Sequence, residues 1–549
     1  MQINKIIILG GGTSGWMTAS SLLEANSQFD ITVIESPNIP TIGVGESSIL
    51  TINSFFKHCK LSDTDWMRHC NATYKLSIDF TNWDGKGTRF HYPFGNYPLY
   101  LKEHSPIEFR EEWFERQLLC DNIKGTEYVE FLFDTIELIE SNKLTYNEKN
   151  IIKNFSLNGT NENTTDSDSA YHFDATLLGE YLKNEYCIPK GVTHIQGTYT
   201  TCQLDEHGYI KYLKLENDET EYHADLFIDC TGFKGILIDE VMGIDFHSYS
   251  SVLINDRALA TTIPYHDKNI EMETNTNATT LNAGWCWNIP LYNRIGTGYV
   301  YSSQFLSDDE AEKEFREYLL KYRKPFAKKE PLQDISKIKF KTGIREKPWY
   351  KNVVSIGLSS GFIEPLESTG LYLTYVSIMQ LLNTLNFGQK LEVSSFQRDS
   401  FNKWIEEAMS ISTFILTHYM FSSRDDTPYW RHIKYDLDYT CVEIESFKNL
   451  LDIMKCYLEP YDFFKNGFEF TSFPEPEGTS IIMAGMGFRP MVFKPLIDIR
   501  GPDLMNKRKH LLNGMTEWLN NKRTKNTEFV NQLPTHYEFL KQEIYNGEK

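Results

Sequence analysis

The run Ile6-Ile7-Ile8-Leu9 passes directly into Gly10-Gly11-Gly12-Thr13-Ser14-Gly15, and no other feature of the chain limits its fold so sharply. An apolar strand that meets a G-x-G-x-x-G turn must bend tightly, bring its backbone close to a phosphate and start a helix whose N-terminal amides face that phosphate. Residues 3–9 are therefore expected to form a buried strand, Trp16 to Ala25 a helix with small residues on its packing side, and Ile31 to Glu35 the next strand. Glu35 ends that strand where a carboxylate accepts the ribose hydroxyls of an adenosine. Strand, turn, helix and acid together predict an α/β, doubly wound Rossmann-type sheet that binds a dinucleotide through Gly10, Gly12, Thr13, Ser14, Gly15 and Glu35. A coincidental glycine turn is the bland alternative, and the full βαβ context argues against it.

The fingerprint alone does not separate FAD from NAD. A second segment, Asp225-Leu226-Phe227-Ile228-Asp229-Cys230-Thr231-Gly232, reads as a strand ending in a Thr-Gly turn and resembles an internal segment that large FAD-dependent monooxygenases and reductases place near the cofactor. One more buried strand is its structural alternative. Gly357 is a further expected cofactor contact, and no second nucleotide fingerprint is seen for NAD(P)H.

At 549 residues the chain exceeds a usual single domain, yet no Pro/Gly/Ser-rich linker divides it. The expected organisation is an FAD-binding and catalytic core over residues 1–395, with inserted pocket segments such as 85–170, and a mostly helical substrate-covering region over 396–549. Helical spacing of apolar residues in Phe396 to Phe414 and Lys448 to Tyr457 supports the second part. A net charge of −20 opposes binding to nucleic acid or anionic membranes, which need clustered Lys and Arg. Nine cysteines without CxxC pairs argue against a disulfide framework or a metal site. The N-terminal apolar run is too short for a membrane span and shows no signal-peptide pattern, so a cytoplasmic location is expected. The polar stretch 158–168 reads as a surface loop whose Asn-x-Ser/Thr sequons carry no meaning in that compartment. Aromatics at 14% leave room for a ring-lined pocket as well as an ordinary Phe/Tyr core.

Three further segments carry candidate chemistry. In Tyr74-Lys75-Leu76-Ser77-Ile78-Asp79-Phe80, alternation puts Tyr74, Leu76, Ile78 and Phe80 on one face and Lys75, Ser77 and Asp79 on the other; alone, Lys75 reads as a solvated strand lysine. In Gly361-Phe362-Ile363-Glu364-Pro365-Leu366-Glu367-Ser368-Thr369-Gly370, which precedes the apolar run Leu371 to Leu382, Ser368 or Thr369 can cap a helix whose N-terminus suits an anion. Taken alone, Glu364 and Glu367 are acids favoured by that helix dipole. Gly284-Trp285-Cys286-Trp287-Asn288-Ile289-Pro290 places two tryptophans on one strand face, in a chain with only 10 Trp against 35 Phe.

The W-x-W-x-I-P pattern resembles the signature of the flavin-dependent halogenases of the tryptophan-halogenase type. The fingerprint, Lys75 with Asn82 and Trp83 following, and Glu367-Ser368-Thr369-Gly370 stand in that family's order, so the resemblance covers most of the chain. It implies an FAD monooxygenase-like fold and the following roles. Glu367, with neighbouring Ser368, is the catalytic carboxylate; a desolvated carboxylate can stabilise the cationic intermediate of electrophilic aromatic substitution and take its proton. Lys75 is the essential lysine, binding hypohalous acid or becoming a haloamine, and either route needs shelter from bulk water. Thr369 and Gly370 hold halide beside the flavin. Trp285 and Trp287 fill the space next to the flavin and block direct hydroxylation. Gly43-Val44-Gly45-Glu46-Ser47 is the flavin-covering strap, Gly45 included among its cofactor contacts, and His418 to Trp430, with Arg424-Asp425-Asp426, is structural.

The chain departs from the family where substrate is gripped. The indole sandwich of a His and a Phe matches Tyr92 and Phe94 in Phe90-His91-Tyr92-Pro93-Phe94-Gly95, with His91 shifted by one. The paired tyrosines, glutamate and Phe-Trp-Asn-Asn run are absent from Cys456 to Ser480, which offers Tyr457, Tyr461, Phe463, Phe464, Phe468, Phe470 and Phe473 instead. The expected enzyme is two-component: a separate NAD(P)H-dependent flavin reductase supplies reduced FAD, oxygen and chloride, bromide or iodide give hypohalous acid, and an electron-rich aromatic such as an indole is halogenated between Lys75 and Glu367. Family members are often dimers. The rivals are a flavin-dependent aromatic hydroxylase and a non-catalytic flavin-binding protein.

Overall fold

The computed structural model describes residues 3–38, 45–95, 113, 116–117, 119–120, 123–133, 135–147, 150–151, 169–322, 334–386, 393–409, 411–437, 476–487 and 502–546. The chain forms two compact units, each assembled from separated stretches: Met1–Thr73, Tyr171–Asp256 and Ile338–Met409 in one, and Tyr74–Ala170, Arg257–Lys337 and Ser410–Lys549 in the other.

The first unit is built on the expected nucleotide sheet. Its strands run in the order Thr193–Gln196, Asp30–Glu35, Lys5–Leu9, Leu226–Asp229, Val353–Ser355 and Trp349–Tyr350, parallel except for the last. Lys5–Leu9 is central and flanked on both edges, which is why its apolar run is continuous and not alternating. Ile7 and Leu9 pack with Phe227 against Ile210, Leu213 and Leu215 of an antiparallel three-stranded sheet, while Ile6 and Ile8 are equally buried. The helix Thr13–Ala25 buries Trp16, Met17, Ala19 and Leu22 and starts three residues earlier than the apolar pattern suggests, because the glycine turn itself feeds the first turn. The expected strand 3–9 is seen as Lys5–Leu9, and Asp30–Glu35 is the second strand.

In the second unit, six strands of a seven-stranded sheet run in the order Arg257–Ile263, Ile295–Tyr301, Gly284–Pro290, Asn275–Leu281, Ser77–Thr81 and Arg89–Pro93. All neighbours are antiparallel except Asn275–Leu281 with Ser77–Thr81. Helix Asp308–Tyr322 covers one face, placing Ala311, Phe315 and Leu319 on Leu259, Cys286, Tyr299 and Tyr301. Its first turn holds Asp308, Asp309 and Glu310 and its last turn Lys321, the arrangement the helix dipole favours.

Past residue 395 every regular element among the described residues is helical. The stretch Phe396 to Phe414 resolves into two helices: Ser395–Ala408, opened by a Ser394/Gln397 capping box, and Ile411–Phe421. Residues 158–168 and Lys448 to Tyr457 lie outside the described residues. Among the described residues, no helix is long and apolar enough to cross a membrane.

Candidate active site

The glycine turn has the geometry its sequence requires. Gly10 sits at φ +113°, with the Cys230 carbonyl where a side chain would project, so only glycine fits. Gly12 occupies the helix N-cap with no side chain satisfying the amides above it, and a Cβ placed there meets nothing within 4 Å. That open, uncapped helix N-terminus at the end of a central parallel strand is the cradle a dinucleotide pyrophosphate needs. Gly357, at φ +78°, lies where any side chain would run into Ser14 Oγ, so it packs directly on the fingerprint turn. These residues fit FAD. Thr13 donates its hydroxyl to the Ala175 carbonyl at 2.7 Å and thereby ties the turn to the helix Ala175–Tyr181.

Glu35 closes its strand as predicted and accepts hydrogen bonds from Lys183 Nζ at 2.8 Å and His194 Nε2 at 2.9 Å. Burial, followed by the neighbouring Lys183 cation, holds the His194 pKa below its ordinary value. Asp229 ends the strand Leu226–Asp229. Its buried carboxylate accepts from Thr231 N and Oγ1 and from Leu237 and Ile238 N, so it organises the turn and the helix after it; burial pushes its pKa up against these bonds.

In the segment ending at Gly370, Glu364, Glu367, Ser368 and Thr369 are all buried. Glu364 is fully enclosed and accepts from Asn255 Nδ2 at 2.7 Å. Ser368 adopts φ +60°, a left-handed conformation unusual for a serine, and shares a 3.0 Å hydrogen bond with the Ser47 hydroxyl. Thr369 stands at the cap position of the helix Gly370–Asn386, since Leu373 N donates to its carbonyl at 3.1 Å, but its own Oγ1 is buried without a hydrogen-bond partner. A buried, unmatched hydroxyl at the start of a 17-residue helix is a polar group waiting for a ligand. Of the strap, Gly43 and Val44 lie outside the described residues; Gly45 has φ +110°, Ser47 reaches Ser368, and Glu46 Oε1 comes within 3.4 Å of where a Gly370 side chain would start.

Lys75 belongs to the other unit. Its strand breaks at Leu76, between Thr73–Lys75 and Ser77–Thr81, and both faces are covered, so a solvated lysine is ruled out: Lys75 is 0% exposed. Its ammonium lies 5.0 Å from the centroid of the Phe94 ring. Ser77 Oγ meets His91 Nδ1 at 3.1 Å, and His91 Nε2 meets Glu140 Oε1 at 3.0 Å. That bond, more than any other cause, lowers the Glu140 carboxyl to about 2. His91 thus serves the strand pair and not the sandwich. Tyr92 is half-buried, 5.8 Å from the Phe414 ring, and its hydroxyl abuts Gly478.

Trp285 and Trp287 lie on one face with ring centroids 6.2 Å apart, opposite Val300 and Gly298. Gly298 explains the arrangement: the Trp287 indole occupies the space a side chain there would fill. Trp285 is buried with its Nε1 unpartnered, whereas Trp287 is only partly covered.

The tryptophan halogenase family profile matches residues 5–502. The chain belongs to that family. A tryptophan 7-halogenase of Lentzea aerocolonigenes, RebH, is 32% identical over 563 residues, covering 99% of each chain. Among solved structures, the apo form of VirX1 aligns with a TM-score of 0.85 at 38% identity over 99% of this chain and 100% of that one. BrvH, a flavin-dependent halogenase from Brevundimonas sp. BAL3, aligns at 0.78 and 30% identity over 98% and 99%. With a nucleotide cradle and Lys75, Glu367 and Trp285 buried, this chain is a flavin-dependent halogenase, and the hydroxylase and non-catalytic readings are set aside.

Three features around these residues, one in the first unit and two in the second, escaped the sequence. The Asn255 partner of Glu364 is 109 residues away in sequence and carries no local mark. His536, which reaches the backbone beside Lys75, sits in a C-terminal helix with no motif of its own. The helix Pro476–Gly485 packs on Phe90 and Tyr92 through Gly485 and Gly478, and the seven-residue spacing of those glycines in an apolar run was a readable signal. The predicted rings Tyr457, Tyr461, Phe463, Phe464, Phe468, Phe470 and Phe473 lie outside the described residues.

Proposed function

We propose that this halogenase uses reduced FAD from a separate NAD(P)H-dependent flavin reductase, oxygen and a halide to halogenate an electron-rich aromatic of the indole type. Bound reduced FAD, with oxygen, supplies the two-electron oxidation that turns halide into hypohalous acid. Gly10, Gly12, Thr13, Ser14, Gly15, Glu35, Gly45 and Gly357 hold the cofactor, and halide sits against Thr369 and Gly370, where the buried Thr369 hydroxyl can donate to an anion. Lys75 holds and delivers hypohalous acid. Glu367, supported by Ser368, stabilises the ring cation and removes its proton. Tyr92 and Phe94 contact the aromatic, and Trp285 and Trp287 exclude it from the flavin. Residues 396–549 act largely as the substrate-covering region beyond the catalytic core of 1–395, the enzyme acts as a dimer in the cytoplasm, and it needs no metal.

The observation that carries the reading is the full burial of the Lys75 ammonium over the Phe94 ring. A lysine without a buried task would sit at the surface, because desolvating an ammonium costs several kcal/mol. The lost grip residues favour indoles and related heteroaromatics over free tryptophan, the substrate named for RebH. Mass spectrometry of indole and tryptophan incubated with the enzyme, FAD, a reductase, NADH and chloride, bromide or iodide in separate reactions tests this. Halogenated product with the isotope pattern of the halide is expected; oxygen insertion alone, or no product across a panel of such aromatics, overturns it.

A further inference from the structure

The histidine His536 opens the last described helix, His536–Glu543, and its ring is fully buried. Both ring nitrogens are engaged. Nδ1 lies 3.1 Å from the Met272 carbonyl, and Nε2 lies 3.2 Å from the backbone N–H of Tyr74. A carbonyl can only accept and an amide N–H can only donate, so one state satisfies both: neutral imidazole with its proton on Nδ1. Burial agrees, since it drives the His536 pKa down.

The helix that presents this ring is fastened from several sides. Thr535 and Glu538 form a capping box. His536 N donates to the Asn142 carbonyl at 2.9 Å, and Lys143 Nζ donates to the Leu533 carbonyl at 2.6 Å. Phe539 meets the Tyr74 ring edge-on, and Tyr545 stacks on Tyr292 with centroids 3.5 Å apart. A histidine on so rigid a mount does more than fill space, because it holds a backbone amide of the strand Thr73–Lys75. Tyr74 immediately precedes Lys75, and on the other side Leu76 N is held by the Thr274 carbonyl at 2.6 Å. The backbone is thus clamped on both sides of the lysine, at the point where the strand breaks.

We infer that His536 is a positioning residue for Lys75: by accepting from the Tyr74 amide, it fixes the angle at which the lysine leaves its strand. The inference rests on the assignment of Lys75 to hypohalous acid. It requires that losing the Tyr74 bond spoil delivery of the oxidant and leave its formation alone.

Two substitutions separate the bonds. In His536→Gln the side-chain oxygen can reach the Nε2 position and still accept from Tyr74; in His536→Asn the amide can reach only the Nδ1 position and donate to Met272. Each variant, with wild type and Lys75→Ala, is run with FAD, a reductase, NADH, bromide and indole. Hypobromous acid released to a scavenger is measured against brominated indole, and hydrogen exchange is followed at the Tyr74 amide. His536→Asn is expected to keep hypobromous acid formation near wild type, to lose at least about fivefold in product per oxidant, the scale of one hydrogen bond, and to speed exchange at Tyr74. His536→Gln restores both. Unchanged coupling in His536→Asn, equal failure of the two variants, or oxidant formation falling in step with product overturns the positioning role. If Lys75→Ala couples like wild type, the assignment of Lys75 fails and the inference falls with it, a result distinguishable from failure of the His536 variants alone.

Discussion

Acid should loosen the His536 contact by an amount the structure sets. The ring is buried neutral, and burial lowers its pKa from the ordinary 6.5 to about 4. As pH falls, the opened state binds a proton near 6.5 and the closed state does not until about 4, so the closed state loses stability across that window. Above 6.5 the contribution is fully present, and below about 4 the loss levels off. At about 1.4 kcal/mol per pH unit, the depression corresponds to about 3 kcal/mol. Nearby Glu273 works in the opposite direction: burial raises its carboxyl to about 7, so acid stabilises the form that keeps it buried. Subtracting the non-titrating variant His536→Gln removes that contribution. The assay is hydrogen exchange at the Tyr74 amide and across His536–Glu543 between pH 4 and 8, converted to an opening free energy for each protein. The wild-type minus variant difference should decline by about 3 kcal/mol between pH 6.5 and 4 and stay flat above it. A flat difference throughout would show that the ring can take a proton where it sits, and the single-tautomer argument would fail.

Replacing Glu367 with Gln should remove roughly 2–4 kcal/mol of transition-state stabilisation, the scale of one preorganised group, while FAD binding and hypohalous acid formation stay intact; a wild-type rate in a single-turnover assay sinks the assignment. Thr369→Val keeps the shape and deletes the unmatched hydroxyl, so the halide KM should rise about fivefold, as for one lost hydrogen bond, and an unchanged KM removes Thr369 from the halide site. Gly12→Ala meets no atom within 4 Å, so the fold should tolerate it while a flavin titration shows FAD binding weakened by roughly tenfold or more; unaltered affinity would mean the pyrophosphate lies elsewhere.

How much of this could be read in the sequence depended on how local each constraint is. The fingerprint was legible because Gly10, with its positive φ, and Gly15, pressed on the Gly10 carbonyl, answer needs of the backbone within six residues, and the central strand's need for apolar residues on both faces is met by one unbroken run. Alternation misjudged Lys75 because period two tells which residues share a face and nothing about whether that face is wet; here both faces are covered. Asp229 shows a related limit. Its segment reads as a strand ending in a Thr-Gly turn, and the four donors its carboxylate collects leave no mark in that pattern. The partners of Glu364 and of the Tyr74 amide were out of reach, being 109 and 462 residues away with no pattern linking them.

The burial of Lys75 and the backbone of Ser368 point the same way energetically. Taking an ammonium out of water costs several kcal/mol before its partners are counted. Ser368 at φ +60° adds about 1–3 kcal/mol of backbone strain, the usual range for such conformations. Neither outlay serves packing alone, and a glycine at 368 would relieve the second. A fold that keeps both must secure them with well-satisfied neighbours: the Ser47 hydroxyl on Ser368, and the doubly bonded His536 and the Thr274 carbonyl on either side of Lys75. That is the pattern expected when local stability is surrendered for chemistry, and it makes Ser368→Gly a more stable protein and a poorer halogenase.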